Sequence, residues 1–381
     1  MDGWLLYDFR GLNVLARRII GLPEEGMLSR RWFYFVPAVG SPAKLVHRIE
    51  PHALDHLPGT VQQYLRWQEL EQGVAALVGN ARKVAMEYVP RNANPYVSRV
   101  DGGTIDLVKS TGAEVLPSGD LVQLFEACWD DEQWAMHLEA ARHTRSAFDV
   151  AFGFIAEKIQ SVGSVRETEV QAKIMQHFAA HRLVTDHPPI CAVGPHSGDP
   201  HYAPVPGHDA QIKAGDFVLI DLWAKMEVQR AVYSDLTRTA FVGTDVPGRY
   251  AEIFSIVASA RDAGIAKVRE AFAGKKPLHG WEVDDATRAV IGRAGYGKYF
   301  CHRTGHSIGR ETHGNGANMD NLETRDERLV LPRTCFSIEP GIYLPEFGVR
   351  SEVNVFVDAN GGVHVTGGDP QTSVTPLLRK S

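Results

Sequence analysis

Four carboxylates sit where a strand-forming sequence would ordinarily carry an apolar residue. Asp221 lies within VLIDLWA, Asp235 within AVYSDLTRTAFV, Glu339 within CFSIEPGIYL and Glu352 within VRSEVNVFV. Runs rich in Val, Ile, Leu, Phe and Tyr predict buried strands. A bare carboxylate in such a strand is costly to bury without a cation or a hydrogen-bond donor. The polar KMEVQR between the first two segments is short enough for a hairpin loop. Asp221 and Asp235 are therefore expected to face each other near the ends of two antiparallel strands. EFG supplies a tight turn between the second two segments, which repeat the device. Any one of these residues has an ordinary explanation as a strand edge or a salt-bridge partner; four on paired strands do not read as solvated surface.

His306 adds one nitrogen to this oxygen-rich set. Hard carboxylates that can bridge, together with a single imidazole, suit a pair of divalent ions such as Mn, Co, Zn or Fe. Two such ions can hold a bridging hydroxide and clamp the oxyanion of a reacting carbonyl. The expected chemistry is metal-dependent hydrolysis. His302, His306 and His313 fall within twelve residues, and His201 lies in the loop-like PHSGDPHYAPVPGHD stretch. That clustering by itself would also fit a mononuclear, histidine-rich zinc site, but such a site would leave the carboxylates without a role.

The segments DL at Asp221, SDLTRT at Asp235, HRTGHSIG at His306, SIEPGIY at Glu339 and GVRSE at Glu352 resemble the pita-bread metallopeptidases. These include methionine aminopeptidase, Xaa-Pro aminopeptidase and prolidase, with creatinase as a metal-free relative. The resemblance covers about residues 131–381. It implies an α/β (α+β) chain whose C-terminal part is a curved antiparallel sheet with helices on its outer face. It implies that Asp221 holds one metal, that His306 and Glu339 hold the other, and that Asp235 and Glu352 bridge them. Glu339 would also shuttle the proton, His313 would stabilise the tetrahedral intermediate, and His201 would contact the substrate near the scissile bond. His302 would line the pocket. Arg350, two residues before Glu352 and so on the same strand face, would either orient that carboxylate or bind a substrate carboxylate. Trp223 stands where many relatives have glycine. Gly314 and Val353 stand where an acidic residue is common.

The expected activity is that of an Xaa-Pro aminopeptidase or dipeptidase, with manganese the favoured metal. A small-amide or amidine hydrolase of the same fold is the alternative. A silent binding protein would need lost ligands, and none is lost.

Composition bounds the rest. At 381 residues the chain exceeds the size at which single cores stop growing. Two domains are expected: 1–130, a small creatinase- or prolidase-like α/β domain with strands at RRWFYFVP, KLVHRIE and KVAMEYV, and 131–381, the catalytic domain. A net charge of −6 and a pI near 6.2 argue against nucleic-acid or polybasic membrane partners. The opening MDGWLLYDFR lacks a signal-peptide pattern and no run approaches membrane-spanning length, so a cytoplasmic protein is expected. The four cysteines have neither metal-site nor redox spacing. The resemblance further implies a homodimer.

Within the second domain a long helix is expected to bury Trp134, Leu138, Ala141, Phe148, Phe152, Ile155 and Ile159, with Arg145 interrupting the stripe. SVRE reads as a capping box starting a second helix near Ser164, and a third helix is expected from about Pro247 to Phe272.

Overall fold

The computed structural model describes residues 1–23 and 28–379. They fall into two compact units, 1–126 and 127–381.

In the first unit, aromatic and β-branched runs form six strands: β1 (Gly3–Asp8), β2 (Trp32–Pro37), β3 (Ala43–His47), β4 (Thr60–Tyr64), β5 (Lys83–Met86) and β6 (Glu114–Pro117). The sheet order is β4-β3-β2-β1-β5-β6. The hairpin neighbours β1, β2 and β3 run antiparallel, while β5 and β6 join in parallel through crossovers. Helices α1 (Val14–Ile19), α2 (Trp67–Val78), α3 (Gly102–Lys109) and α4 (Gly119–Glu126) accompany the sheet. Alternate residues of β1 enter different cores: Leu5 packs with residues of α2 and α3, Leu6 with residues of α1. This is the period-two consequence of a strand buried on both faces.

The second unit opens with α5 (Asp131–Val162), β7 (Ser164–Arg166), α6 (Glu167–Ala180), β8 (Leu183–Val184), β9 (Ile190–Val193) and β10 (Gln211–Lys213). The long strands β11 (Phe217–Met226) and β12 (Ser234–Phe241) follow, then α7 (Gly248–Ala273) and α8 (Gly280–Arg293). It closes with β13 (Ser307–Ile308), β14 (Cys335–Ile338), β15 (Gly341–Tyr343), β16 (Gly348–Arg350), β17 (Val353–Val357), β18 (Val363–Thr366) and β19 (Thr375–Pro376). β11 and β12 pair antiparallel, β8 and β9 add to β11, and β19 adds to β12. A second sheet runs β13-β14-β17-β18, with β15 and β16 as a separate antiparallel ribbon. Each carboxylate-bearing sheet is backed by a helix pair. Phe148 and Ile155 of α5 pack with Ile174 of α6 against Ile220 and Leu236. Ile265 and Val268 of α7 pack with Val283 of α8 against Ile338 and Val355.

Three local expectations are corrected. Asp221 and Asp235 are not directly opposite: Asp221 pairs with Thr237 and Asp235 with Trp223. β11 runs on through Lys225 and Met226 before the turn, which carries Asp221 to mid-strand and makes the two carboxylates diagonal neighbours on one face. Leu138 is 44% exposed. The buried face of α5 instead passes through His137 and Thr144, whose polar atoms bond Tyr233 O, Thr366 Oγ1 and Ser234 Oγ at 2.7–2.9 Å. Ser164 does not cap α6, because residues 164–166 pair with β10. The cap residue is Arg166, whose backbone N–H donates to Glu169 at 2.9 Å. α7 lies where its apolar period placed it. Among the described residues no helix is long and apolar enough to cross a membrane.

Candidate metal centre

The register of β11 and β12 puts Asp221, Trp223, Asp235 and Thr237 on one face, opposite the face packed against α5. The second sheet brings its carboxylates to the same place through a break in pairing. Ile338 pairs with Val353 and Gly341 with Arg350. Glu339 and Glu352 therefore sit in the gap between the two ladders, released from strand geometry. Asn354 stitches the sheets together: its Oδ1 accepts the Asp235 N–H at 3.0 Å and its amide donates to the Asp235 carbonyl. Thr237 does the same one step along, its hydroxyl donating to Glu352 Oε2 at 2.7 Å and its carbonyl accepting the Glu352 N–H.

His306 is delivered by a tight approach of chain to chain. The Ser337 N–H donates to His306 O at 2.9 Å and Glu339 N–H to Thr304 O at 2.8 Å. Between them a Cβ on Gly305 would lie 1.9 Å from Ser337 O, so only glycine fits. His306 Nδ1 lies 3.1 Å from Ser307 O, which can only accept. The proton is therefore on Nδ1, and the Nε2 lone pair faces Glu339 Oε1 at 3.3 Å and Asp235 Oδ2 at 3.5 Å.

One donor atom each from Asp235, His306 and Glu352 lie within 4.8 Å of one another. Asp221 Oδ1 and Glu352 Oε1 are buried with no hydrogen-bond partner among the described residues. Burial raises Asp235 well above the ordinary carboxylate range, and the charge of Asp221 pushes it further. Burial and then Asp235 do the same to Glu352. Burial raises Glu339 too, with His306 and Arg350 opposing, and burial lowers His306. Acceptors that converge without donors repel one another, and an unsatisfied buried acceptor costs about 1–3 kcal/mol. A pair of divalent cations would answer these acceptors, so the residues fit the group.

Arg350 is buried behind the cluster. Its guanidinium donates to Asp221 Oδ2 at 2.5 Å, Thr237 Oγ1 at 3.1 Å, Tyr343 Oη at 2.8 Å and Pro200 O at 3.5 Å. His302 Nδ1 faces Arg303 O and its Nε2 faces Tyr343 Oη, both at 2.7 Å. The carbonyl fixes the Nδ1–H tautomer, so Tyr343 accepts from Arg350 and donates to His302. The polar atoms expected to hold substrate are thus engaged within the protein. Burial, followed by the charge of Arg350, lowers His302 to about 3, so it is neutral at physiological pH.

His313 is exposed, with its ring edge-on to His306 at 4.3 Å between centroids. The proximity of His306, then partial desolvation, holds it far below the usual histidine range. His201 is also exposed and close enough to His313 to contribute to that shift. Its loop is fastened by buried Glu167, which accepts from Val193 N–H, Ala210 N–H and Tyr202 Oη at 2.6–2.8 Å and holds His196 at 3.0 Å. Trp223, the departure beside Asp221, donates its indole N–H to Asp186 at 2.6 Å. A Cβ on Gly314 would meet Ser307 Oγ at 3.0 Å and Gly309 N at 3.1 Å, which accounts for glycine at that position.

Sequence reasoning did not single out Thr237, Asn354, Ser337 or Tyr343. Thr237 and Asn354 lie two residues after Asp235 and Glu352, so strand alternation carried the signal. Ser337, which donates to Glu339 Oε1 at 3.0 Å, is likewise two residues away. Tyr343 follows the Pro340–Gly341 bend, where no periodicity applies.

Residues 135–359 match the model of metallopeptidase family M24. An uncharacterized peptidase, YqhT, from Bacillus subtilis is 31% identical over 255 residues, 67% of this chain and 66% of that protein. An Xaa-Pro dipeptidase from Pyrococcus furiosus is 34% identical over 205 residues, 53% of each chain. The crystal structure of dipeptidase PepE from Mycobacterium ulcerans superposes with a TM-score of 0.66 at 23% identity, covering 99% of this chain and 93% of that one. The chain belongs to metallopeptidase family M24, and its fold is the pita-bread fold of those peptidases.

Proposed function

We propose that this peptidase cleaves the bond before proline in short Xaa-Pro peptides, using two metal ions held by Asp221, Asp235, His306, Glu339 and Glu352. The observation that carries the reading is that donor atoms of Asp235, His306 and Glu352 converge within 4.8 Å, while Asp221 Oδ1 and Glu352 Oε1 are buried without a hydrogen-bond partner among the described residues. Asp221 would hold one ion, His306 and Glu339 the other, and Asp235 and Glu352 would be shared between them. When bound, the ions would lower the pKa of a water and polarise the scissile carbonyl.

The protein's own groups do the rest. Glu339, anchored by Ser337 and raised above the usual carboxylate range by burial, accepts the proton of the attacking water and returns it to the leaving nitrogen. Neutral His313 donates an N–H to the developing oxyanion. His201 contacts the substrate near the scissile bond. Arg350 orients Asp221 directly and Glu352 through Thr237. His302 steadies Arg350 through Tyr343. Orientation of ligands by such outer partners is what tunes metal affinity.

Manganese is our choice of metal, because four carboxylates and one imidazole favour a hard ion. Four unpaired cysteines, Cys301 exposed among them, suit the reducing cytoplasm. The homodimer follows from the family resemblance, and sedimentation velocity tests it.

The central test is hydrolysis of an Xaa-Pro dipeptide and an Xaa-Pro-containing tripeptide by metal-stripped and manganese-reloaded protein, beside Asp235→Asn. Metal-dependent cleavage lost in the variant supports the proposal, and the preferred length separates dipeptidase from aminopeptidase. Bound metal with neither peptide cleaved would overturn it in favour of a small-amide hydrolase.

A further inference from the structure

We propose that His143, His177 and His181 form a second metal site, built between α5 and α6 and selective for a divalent ion of the zinc class. His177 and His181 are four residues apart at the end of α6 and so share a face. His143 comes from α5, which packs along α6. One donor nitrogen from each ring lies within 4.8 Å of one from each of the others. Ring centroids are 4.2 Å apart for His143 and His181, and 4.3 Å for His177 and His181. Nitrogens bound tetrahedrally to zinc stand about 3.4 Å apart, given Zn–N near 2.1 Å. His143 and His177 are the widest pair, 6.4 Å between centroids, so binding would have to draw these two rings together.

Hydrogen bonds prepare two of the three imidazoles, His177 and His181, in the way metal ligands are prepared. His177 Nε2 lies 3.2 Å from His143 O, and His181 Nδ1 lies 2.8 Å from His177 O. Carbonyls only accept, so these nitrogens carry the protons and leave His177 Nδ1 and His181 Nε2 as lone pairs. His143 Nε2 lies 3.1 Å from Glu139 Oε1, which itself accepts from Arg142 at 2.6 Å. The Arg142 guanidinium is also 2.8 Å from His143 Nε2. A guanidinium only donates, so Arg142 must turn aside and leave the Nε2 proton to Glu139 for His143 Nδ1 to serve as the third lone pair. That atom is buried and without any partner, in a residue only 5% exposed. Holding the far nitrogen by a carbonyl or carboxylate is the usual arrangement around a ligating histidine.

Three neutral imidazoles with one open position suit zinc better than manganese, the reverse of the carboxylate cluster. Burial lowers His143 and His177 from the usual histidine value, which keeps the imidazoles uncharged at physiological pH. Glu139 and Arg142 offset each other's charge, so the ion meets no net repulsion. His177 and His181 are half-buried, which leaves a route for the ion. The site would staple α5 to α6, beside the Thr144–Ser234 hydrogen bond that leads to Asp235.

The test uses full-length, tag-free protein stripped with a chelator and dialysed against zinc alone. His177→Ala and His181→Ala are each expected to bind one equivalent less than the unchanged chain, with manganese-dependent peptide hydrolysis unaltered. Equal zinc content in all three overturns the site. A reciprocal measurement guards against misfolding of the variants. Cobalt added to an Asp235→Asn, Glu352→Gln double variant is expected to keep an intense tetrahedral d–d absorption. Its absence there overturns the proposal.

Discussion

Two buried carboxylate environments in this chain look alike in sequence and differ in physics. Glu87, in the first unit, is 0% exposed. Trp4 Nε1 and Ser118 Oγ donate to its Oε1 at 2.7 and 3.0 Å, and Asn13 Nδ2 donates to its Oε2 at 2.9 Å. Every oxygen is answered by a neutral donor. Glu352, in the second unit, has one oxygen answered by Thr237 and one by nothing, with Asp235 and Glu339 raising its pKa further. Burial of a carboxylate therefore does not mark a metal site. Unanswered oxygens that converge do.

The sharpest way to break this comparison is to neutralise one residue of each kind. Glu352→Gln is expected to lower kcat/KM by about 10³-fold or more, roughly 4 kcal/mol of transition-state stabilisation, while the unfolding midpoint of the metal-stripped protein holds or rises. Removing Glu87 should do the opposite to stability. Glu87→Ala strands three donors and is expected to destabilise by about 2–4 kcal/mol in urea titration. Glu87→Gln should cost far less. If both glutamines left metal-free stability equally changed, the distinction would fail.

Outer partners should show an intermediate effect. Tyr343→Phe cuts the link between Arg350 and His302 and is expected to lower kcat about tenfold, the lower end for such partners, with KM little changed in steady-state assays.

The smallest effect is in pH dependence, and its sign follows from the raised carboxylates. Burial raises Asp235, Glu352 and Glu87 above their unfolded values. The folded, metal-free chain thus keeps protons that the unfolded chain has released, so stability present below about pH 4 is lost as pH rises. Denaturant midpoints from pH 4 to 8 should fall in chelator-treated protein. Reloading metal should flatten the part owed to the cluster and leave the part owed to Glu87.

Much of the second unit was legible because its candidate ligands are separated by whole strands. Asp221, Asp235, Glu339 and Glu352 each interrupt an apolar run, and such an interruption is visible without a fold. What escaped was whatever depends on register or on a break in it. Asp221 and Asp235 are diagonal because β11 extends past KMEVQR's first residues, a length that composition does not specify. Leu138 turned out to face solvent because α5 crosses β12 on His137 and Thr144, which a hydrophobic stripe ignores. The bonds of Arg350 and His302 to Tyr343 escaped as well, because a bend brings that residue into place. The histidines of α5 and α6 were silent in sequence, since two of them are four apart and the third is on another helix.

The pairing of β11 with β12 has a consequence for how the chain reaches its native state. Asp221 and Asp235 occupy one face, while Ile220, Leu222 and Leu236 enter the oily layer beneath α5. A hairpin zipped one residue out of step would turn β12 over. It would press Asp235 against Phe148 and Ile155 and lift Leu236 into the polar cleft. Such a misaligned chain has no cation to rescue it and is disfavoured at once. The charges that would make the protein a catalyst thus also act as a proofreader, discarding the one slipped isomer that would be folded but inert.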